Sequence, residues 1–130
     1  MKVLIIGFGS IGKRHYDVLS QLSEVQNIDL VTKQNIENTV CYINLEIIKN
    51  IEEYDYFVIA SETNKHFEQL KFLEENVKNK LIFCEKPLFQ SKQDIEIKNN
   101  IVFVGYVLRF HPLLEKLKEM IKEEKILLVN

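Results

Sequence analysis

The sequence predicts an α/β domain in which a doubly wound parallel sheet lies between two layers of helices. Short apolar runs rich in β-branched and aromatic residues recur along the chain, and amphipathic stretches with helical spacing separate them. A glycine-rich segment, residues 7–12, follows the first apolar run. With 130 residues, of which 46% are hydrophobic, the chain has the length of one domain with one substantial core.

The apolar runs predict the strands of the sheet. Most are continuous, which is typical of a parallel strand that is buried on both faces. The predicted strands are residues 3–6, 28–31, 40–43, 57–60, 81–84 and 101–104. The fifth strand is expected to end at Glu85-Lys86-Pro87, because a proline cannot donate to a strand ladder.

The amphipathic stretches predict the helices. One helix follows the glycine-rich segment directly, residues 45–51 form a short helix, and a closing helix can start at Pro112. Apolar residues at helical spacing mark the expected inner faces. They are Ile11, Val18, Leu19 and Leu22 in the first helix, Phe67, Leu70, Leu73 and Val77 in the helix after the fourth strand, and Leu113, Leu114, Leu117, Met120 and Ile121 in the last.

Charge and cysteine content exclude several classes of function. Seventeen basic and nineteen acidic residues give a formal net charge of -2, so nucleic acid and anionic membranes are not expected partners. The apolar start is too short for a membrane span, and we expect a cytoplasmic location. Cys41 and Cys84 belong to no metal-binding or disulfide pattern, which predicts reduced thiols and no zinc site.

The glycine-rich segment predicts a dinucleotide site. Its residues are Gly7, Phe8, Gly9, Ser10, Ile11 and Gly12, and they match GxGxxG between a strand and a helix, which is the context that a Rossmann-type fold requires. The first glycine permits a tight turn, the second lets the backbone approach a diphosphate, and the third allows close helix packing. The anion would sit at the helix N-terminus, where N–H groups and the helix dipole favour negative charge.

The end of the second predicted strand bears on the choice between NAD and NADP. NAD-preferring domains usually place an acidic residue there, which accepts hydrogen bonds from the ribose hydroxyls. This sequence has Thr32 and Lys33 instead, and Asp29 lies within the strand. A hydroxyl followed by a cation favours a 2′-phosphate, so we expect NADP or NAD, with NADP slightly favoured. The alternative for Lys33 is a solvated loop charge.

Four segments together resemble the glucose-fructose oxidoreductase and inositol dehydrogenase family (Gfo/Idh/MocA). They are residues 7–15, 60–66, 85–87 and 104–112, in the order and spacing of that family. The second segment departs from the family, because Ser61-Glu62 stands where a Thr-Pro is usual. The resemblance spans nearly the whole chain and implies the NAD(P)-binding domain of a sugar, nucleotide-sugar or cyclitol oxidoreductase.

The resemblance also implies roles for individual residues. Lys86 would be the catalytic residue that exchanges a proton with the substrate hydroxyl, and it would also contact the nicotinamide. Glu85 would orient that lysine or cover the nicotinamide ribose, and Arg109 is either a ligand contact or a surface ion pair. The loop after the fourth strand would contact the cofactor through Ala60, Ser61, Glu62, Thr63 and His66. His66 is equally well explained as a structural residue, and packing is the favoured explanation for His15.

Family enzymes build their substrate pocket from a second domain, which is absent from this sequence. Residues 1–124 form the predicted cofactor domain, and residues 125–130 are either the first strand of a missing domain or an edge strand of this sheet. We therefore expect a partial chain with little turnover alone, a carbohydrate-like small molecule as substrate, and a homo-oligomer as an open option. The rival hypothesis is a non-catalytic regulatory domain that senses a dinucleotide.

Overall fold

A computed structural model describes residues 1–122 of the chain. Its strands are β1 (Lys2–Ile6), β2 (Asn27–Val31), β3 (Cys41–Tyr42), β4 (Tyr56–Ile59), β5 (Leu81–Cys84) and β6 (Ile101–Val104). They form one sheet in the order β3-β2-β1-β4-β5-β6, and every neighbouring pair is parallel. The six predicted strands are thus confirmed, although the third is reduced to two residues.

Three α-helices accompany the described sheet: α1 (Ser10–Leu19), α2 (Thr63–Asn76) and α3 (Pro112–Met120). Short 3-10 helices occupy Ile51–Glu53 and Val107–Phe110. The start of α3 at Pro112 is confirmed, and the His111 side chain caps it by accepting from the Leu113 amide. None of the helices within residues 1–122 is long and apolar enough to cross a membrane.

The central strand β1 supplies side chains to two hydrophobic clusters, one on each face of the sheet. Leu4 and Ile6 belong to the cluster that contains the α2 side chains, whereas Val3 and Ile5 belong to the cluster that contains Leu19 of α1. All four β1 side chains are almost completely buried. Burying an aliphatic side chain of this size stabilises a fold by about 1.5–3 kcal/mol, which makes β1 the anchor of both layers.

The predicted short helix over residues 45–51 is wrong. The chain forms successive turns there, with the Ile48 amide bonded to the Leu45 carbonyl and the Ile47 amide bonded to the Asn44 side chain. Leu45, Ile48 and Ile51 are all buried. Apolar residues three positions apart can be buried by successive turns with i to i+3 hydrogen bonds as well as by an α-helix. The apolar spacing alone therefore could not distinguish these turns from a helix.

The predicted inner face of α1 is also partly wrong. Ile11 and Val18 are exposed, and so is Leu22 beyond the helix, whereas Gly12 and Leu19 are buried. The side of α1 that contains Gly12 faces the sheet, because a residue without a side chain permits the closest approach to β1. The periodicity of aliphatic residues therefore predicted a face of α1 that is rotated about the helix axis from the face that contacts the sheet.

The predicted inner face of α3 is not buried. Its apolar residues Leu113, Leu114, Leu117 and Met120 are all exposed, and α3 contains no buried residue. The strand-like residues 125–130 lie outside the described part of the chain.

The order of strands reverses direction between β1 and β4. Proceeding along the chain, the sheet first grows outward from β1 through β2 to β3, and then continues on the other side of β1 through β4, β5 and β6. The connections on the two sides leave β1 in opposite directions, which opens a crevice above the carboxyl ends of these strands. Open α/β sheets bind their ligands at such a switch point.

Candidate functional site

A crevice of about 770 Å³ lies at this switch point. It is formed by the carboxyl ends of β1, β2 and β4 with the loops that follow them. Its lining residues are 6–11, 31–34, 43–46, 60–62, Lys65 and Gln69. Ten of the sixteen residues predicted to bind cofactor or substrate line this crevice: Gly7, Phe8, Gly9, Ser10, Ile11, Thr32, Lys33, Ala60, Ser61 and Glu62.

Two glycines make the floor of the crevice possible. Gly7 has a φ of +95°, and a Cβ on it would lie 2.6 Å from the backbone nitrogen of Ser61. A Cβ on Gly12 would collide with the Gly7 carbonyl oxygen. Only glycine therefore allows the turn after β1 to lie against the loop after β4 while α1 packs directly over it.

Gly9 differs from the other two glycines, because a Cβ on it would meet no protein atom within 4 Å. Gly9 is the N-cap of α1, and no side chain within the described residues caps this helix start. The amide groups of a first helical turn have no acceptor inside the helix. They can therefore donate to an anion that occupies the open space beside Gly9.

The end of β2 forms one wall of the crevice. Thr32 and Lys33 both line it, and the Thr32 hydroxyl accepts a hydrogen bond from the Gln34 amide. The Gln34 side chain donates to the Phe8 carbonyl at 3.1 Å, which joins this wall to the glycine-rich turn. Asp29 lies in the core instead, where it is 3% exposed, so Lys33, two residues beyond β2, is the charged side chain of this wall.

The loop between β4 and α2 forms the opposite wall. Glu62 lines it and pairs with Lys65 at 2.8 Å. The hydrogen bond from Lys65 lowers the pKa of Glu62, its own backbone amide lowers it further, and the charge of Lys33 across the crevice adds a smaller effect in the same direction. The Ser61 hydroxyl donates to the Gln69 side chain at 2.6 Å. Thr63 begins α2 and does not line the crevice.

His66 lies behind this wall and is 1% exposed. Its Nε2 atom is 3.0 Å from the Ser61 carbonyl oxygen, and its Nδ1 atom is 3.2 Å from the carbonyl oxygens of Pro87 and Leu88. Carbonyl oxygens only accept hydrogen bonds, so the protonated ring nitrogen donates to one of these two backbone segments. His66 thus lies between the crevice wall and the turn after β5, and it does not line the crevice itself.

The turn after β5 contains Glu85, Lys86 and Pro87, with a cis peptide bond between the last two. The Lys86 side chain is exposed at the sheet edge that carries the crevice, but it does not line the crevice. Glu85 accepts a hydrogen bond of 2.8 Å from Nε2 of His15 on α1. Sequence reasoning did not anticipate this bond, because 70 residues separate the two partners and no local pattern joins them.

Arg109 lies apart from the crevice. It belongs to the 3-10 helix Val107–Phe110 and lines a second cavity of about 580 Å³ beside β5 and β6. The walls of that cavity are mainly apolar and include Phe83 and Phe103. The structure therefore brings the glycine-rich turn, the end of β2 and the loop after β4 together, and it places Arg109 elsewhere.

A fully parallel sheet that carries a glycine-rich turn at its switch point defines a Rossmann-type dinucleotide-binding domain. A family model described as "Oxidoreductase family, NAD-binding Rossmann fold" (GFO_IDH_MocA) matches residues 1–106. The chain belongs to this family, as predicted, and the match contains the first three of the four resembling segments and ends within the fourth. A comparison with curated proteins finds no match.

Solved structures share the fold at low sequence identity. Myo-inositol 2-dehydrogenase from Lactobacillus plantarum is 20% identical with a TM-score of 0.77, and the match covers 95% of this chain and 41% of that one. The WlbA dehydrogenase from Thermus thermophilus, solved in complex with NAD and UDP-GlcNAcA, is 21% identical with a TM-score of 0.74 over 97% of this chain and 48% of that one. This chain spans less than half the length of either dehydrogenase.

The fold is not confined to dehydrogenases. RSP, a Rex-family repressor, is 13% identical with a TM-score of 0.58 over 95% of this chain and 60% of that one. The likeness to these three structures shows the fold alone, so the function has to be argued from the residues of the site.

Proposed function

We propose that this chain binds a nicotinamide dinucleotide and forms the cofactor half of an oxidoreductase that acts on a hydroxyl group of a sugar, nucleotide sugar or cyclitol. The observation that carries the proposal is the open space beside Gly9 at the uncapped start of α1. A diphosphate fits this space, because backbone amides supply the donors and no side chain fills it.

The two halves of the dinucleotide would extend in opposite directions from this diphosphate. The adenosine half would lie toward the end of β2, where Thr32 and Lys33 line the crevice. The nicotinamide half would lie toward the carboxyl ends of β4 and β5, near Ser61 and the turn that carries Lys86. This division supports a role for Lys86 at the reacting end of the cofactor.

Lys33 supports a preference for NADP within this proposal. It is exposed, it lines the crevice, and its charge is felt at Glu62 on the opposite wall. A 2′-phosphate near the end of β2 would therefore gain a cationic partner, whereas the usual acidic residue at this position would repel it.

Lys86 is the residue that we propose for proton transfer. A bound nicotinamide supplies the hydride acceptor. Nζ of Lys86, unprotonated before the reaction, would accept the proton of the substrate hydroxyl as oxidation turns that hydroxyl into a carbonyl. The exposed position of the Lys86 side chain at the sheet edge suits contact with a separate substrate molecule.

Calorimetric titration of this chain with NADH, NADPH and ADP tests the proposal. We expect binding of all three by the wild-type chain and loss of binding in Gly9→Val, because the new side chain enters the diphosphate space, where a Cβ meets no protein atom within 4 Å. Thermal unfolding of the variant should stay within about 1 kcal/mol of wild type, the cost of a poorer N-cap. Failure of the wild-type chain to bind any nicotinamide dinucleotide at millimolar concentration would refute the proposal.

A substitution of Lys86 separates the oxidoreductase from a dinucleotide sensor, since a sensor also needs the crevice but has no use for an exposed lysine beyond β5. Lys86→Met should abolish oxidation of inositol or nucleotide-sugar substrates when it is made in a protein that contains this chain together with the second, substrate-binding domain. Unchanged oxidation in this variant would contradict the catalytic role, whichever cofactor is bound.

A further inference from the structure

We propose that His15 is a positioning residue, which holds the Lys86 turn in place through Glu85. This inference rests on the proposed role of Lys86. His15 lies on α1, and Glu85 lies directly after β5, so their hydrogen bond joins the helix that begins at the diphosphate site to the turn that carries the lysine.

The contact is short and well enclosed. Nε2 of His15 lies 2.8 Å from Oε1 of Glu85, and the two side chains are 25% and 18% exposed. Since an ionised carboxylate only accepts hydrogen bonds, the proton of the imidazole belongs on Nε2 in this pair. The His15 ring also packs edge-on against Phe83, with ring centroids 5.2 Å apart, which fixes the direction of its Nε2 atom.

The second carboxylate oxygen of Glu85 continues the connection to the lysine. Oε2 accepts a hydrogen bond of 3.3 Å from the Lys86 backbone amide. His15 therefore orients a carboxylate that in turn holds the backbone of Lys86.

The absence of a side chain at Gly105 leaves space for the Glu85 carboxylate and the Phe83 ring. A Cβ on Gly105 would lie 3.1 Å from Oε2 of Glu85 and 3.0 Å from the Phe83 ring. One carboxylate oxygen consequently lies beside a position without a side chain, and the other oxygen contacts His15. Such enclosure limits the number of orientations that Glu85 can adopt.

The consequence is a rigid connection between two parts of the proposed site. Helix α1 presents its first turn to the diphosphate, and the same helix carries His15. A misplacement of about 1 Å at a reacting group can lower a rate on the order of a hundredfold. We infer that His15 keeps Lys86 at a constant position relative to a cofactor bound at the start of α1.

Two substitutions separate positioning from simple packing. His15→Phe keeps an aromatic ring against Phe83 but removes the donor to Glu85. His15→Gln removes the ring but retains an N–H group near the position of Nε2. A structural role through packing predicts that the phenylalanine variant resembles wild type, whereas a positioning role predicts that the glutamine variant does.

NMR of the chain with 13C-dimethylated lysines provides the readout. Comparison with Lys86→Arg assigns the Lys86 resonance. We expect NAD⁺ to shift this resonance in wild type and ADP not to shift it, because ADP lacks the nicotinamide. The NAD⁺-induced shift should be lost in His15→Phe at saturating NAD⁺, retained in His15→Gln, and retained in the control Asp17→Asn, which changes an exposed side chain of the same helix.

The outcomes distinguish this inference from the proposed function. A wild-type shift that persists in His15→Phe overturns the positioning role and leaves the proposed function standing. Absence of NAD⁺ binding, or of any Lys86 shift in wild type, refutes the proposed function itself. Should His15→Phe fail to fold, His15→Leu removes the same donor with a smaller side chain, and it must cause the same loss for the inference to hold.

Discussion

The hydroxyl of Tyr54 donates a hydrogen bond of 2.6 Å to Oδ2 of Asp29 inside the core. The other carboxylate oxygen of Asp29 accepts from the Asn27 side chain at 2.7 Å. Burial raises the pKa of Tyr54 above its ordinary value, and the hydrogen bond to Asp29 raises it further. Asp29 is therefore a structural acid, and its position in the middle of β2 explains why it does not reach the crevice.

Tyr54→Phe should lower the free energy of unfolding by about 1–3 kcal/mol, because it leaves a buried carboxylate oxygen without a donor. Urea denaturation at neutral pH measures this change. Tyr106→Phe, at an exposed tyrosine, should change stability by less than about 0.5 kcal/mol. Equal stability of Tyr54→Phe and wild type would mean that the Tyr54–Asp29 bond contributes nothing net.

The hydrogen bonds of Glu74 should make the stability of the folded chain depend on pH. Burial alone would raise its pKa, but the hydrogen bonds from the Asn99 amide, the Asn100 side chain and the Lys98 amide outweigh burial and lower it. A lowered pKa in the folded state means that the stabilisation is present above the ordinary carboxylate range, near pH 4.3, and is lost as the pH falls below it.

Glu74→Gln should therefore be less stable than wild type at pH 7, by about 1–3 kcal/mol, and this difference should shrink as the pH falls below about 4. Denaturation curves of both proteins across this range give the comparison. Glu75→Gln serves as the control, since Glu75 is an exposed neighbour on the same helix. A difference in stability between Glu74→Gln and wild type that does not change with pH would contradict the lowered pKa of Glu74.

The two cysteines should differ in reactivity. Burial raises the pKa of the Cys84 thiol to about 12, and the nearby Glu85 carboxylate contributes in the same direction, whereas Cys41 is only partly buried. Because thiolates are the reactive form, Ellman's reagent at pH 8 should modify Cys41 in the folded chain and both cysteines in urea. Rapid reaction of a thiol in folded Cys41→Ser would show that Cys84 is accessible.

Lys33→Glu should change cofactor preference. Replacing the cation at the end of β2 should weaken NADPH binding by roughly tenfold or more, which is about 1.4 kcal/mol, with a much smaller effect on NADH. Calorimetric titration with both cofactors measures the ratio. Lys49→Glu makes the same charge change at an exposed lysine outside the crevice and should leave the ratio unaltered. A ratio in Lys33→Glu equal to wild type would exclude Lys33 as a determinant.

Most of the sheet could be predicted from the sequence, because the apolar runs of β1 and β4 are buried on both faces and the run of β5 contains no charged residue. The glycine-rich turn was equally predictable, since the steric demands on Gly7 and Gly12 leave little choice of residue. Helix faces were harder to predict. Val18 has the character of a core residue but is exposed, whereas Gly12 has no hydrophobic signal and lies at the contact.

The candidate site was predictable where it is local in sequence. The first turn of α1 belongs to the GxGxxG motif, and the end of β2 follows that motif by about twenty residues. The bond from His15 to Glu85, and the contacts of His66 with the backbone of Pro87, depend on how distant strands pair in the sheet. No spacing along the chain encodes such contacts, so they required the three-dimensional structure.

Helix α3 has no buried residue in the described part of the chain, although one side of it is rich in leucine. Its backbone hydrogen bonds are consequently protected from solvent by almost no tertiary packing. Amide protons of α3 should exchange with deuterium far faster than those of β1, through local fraying rather than through unfolding of the whole sheet.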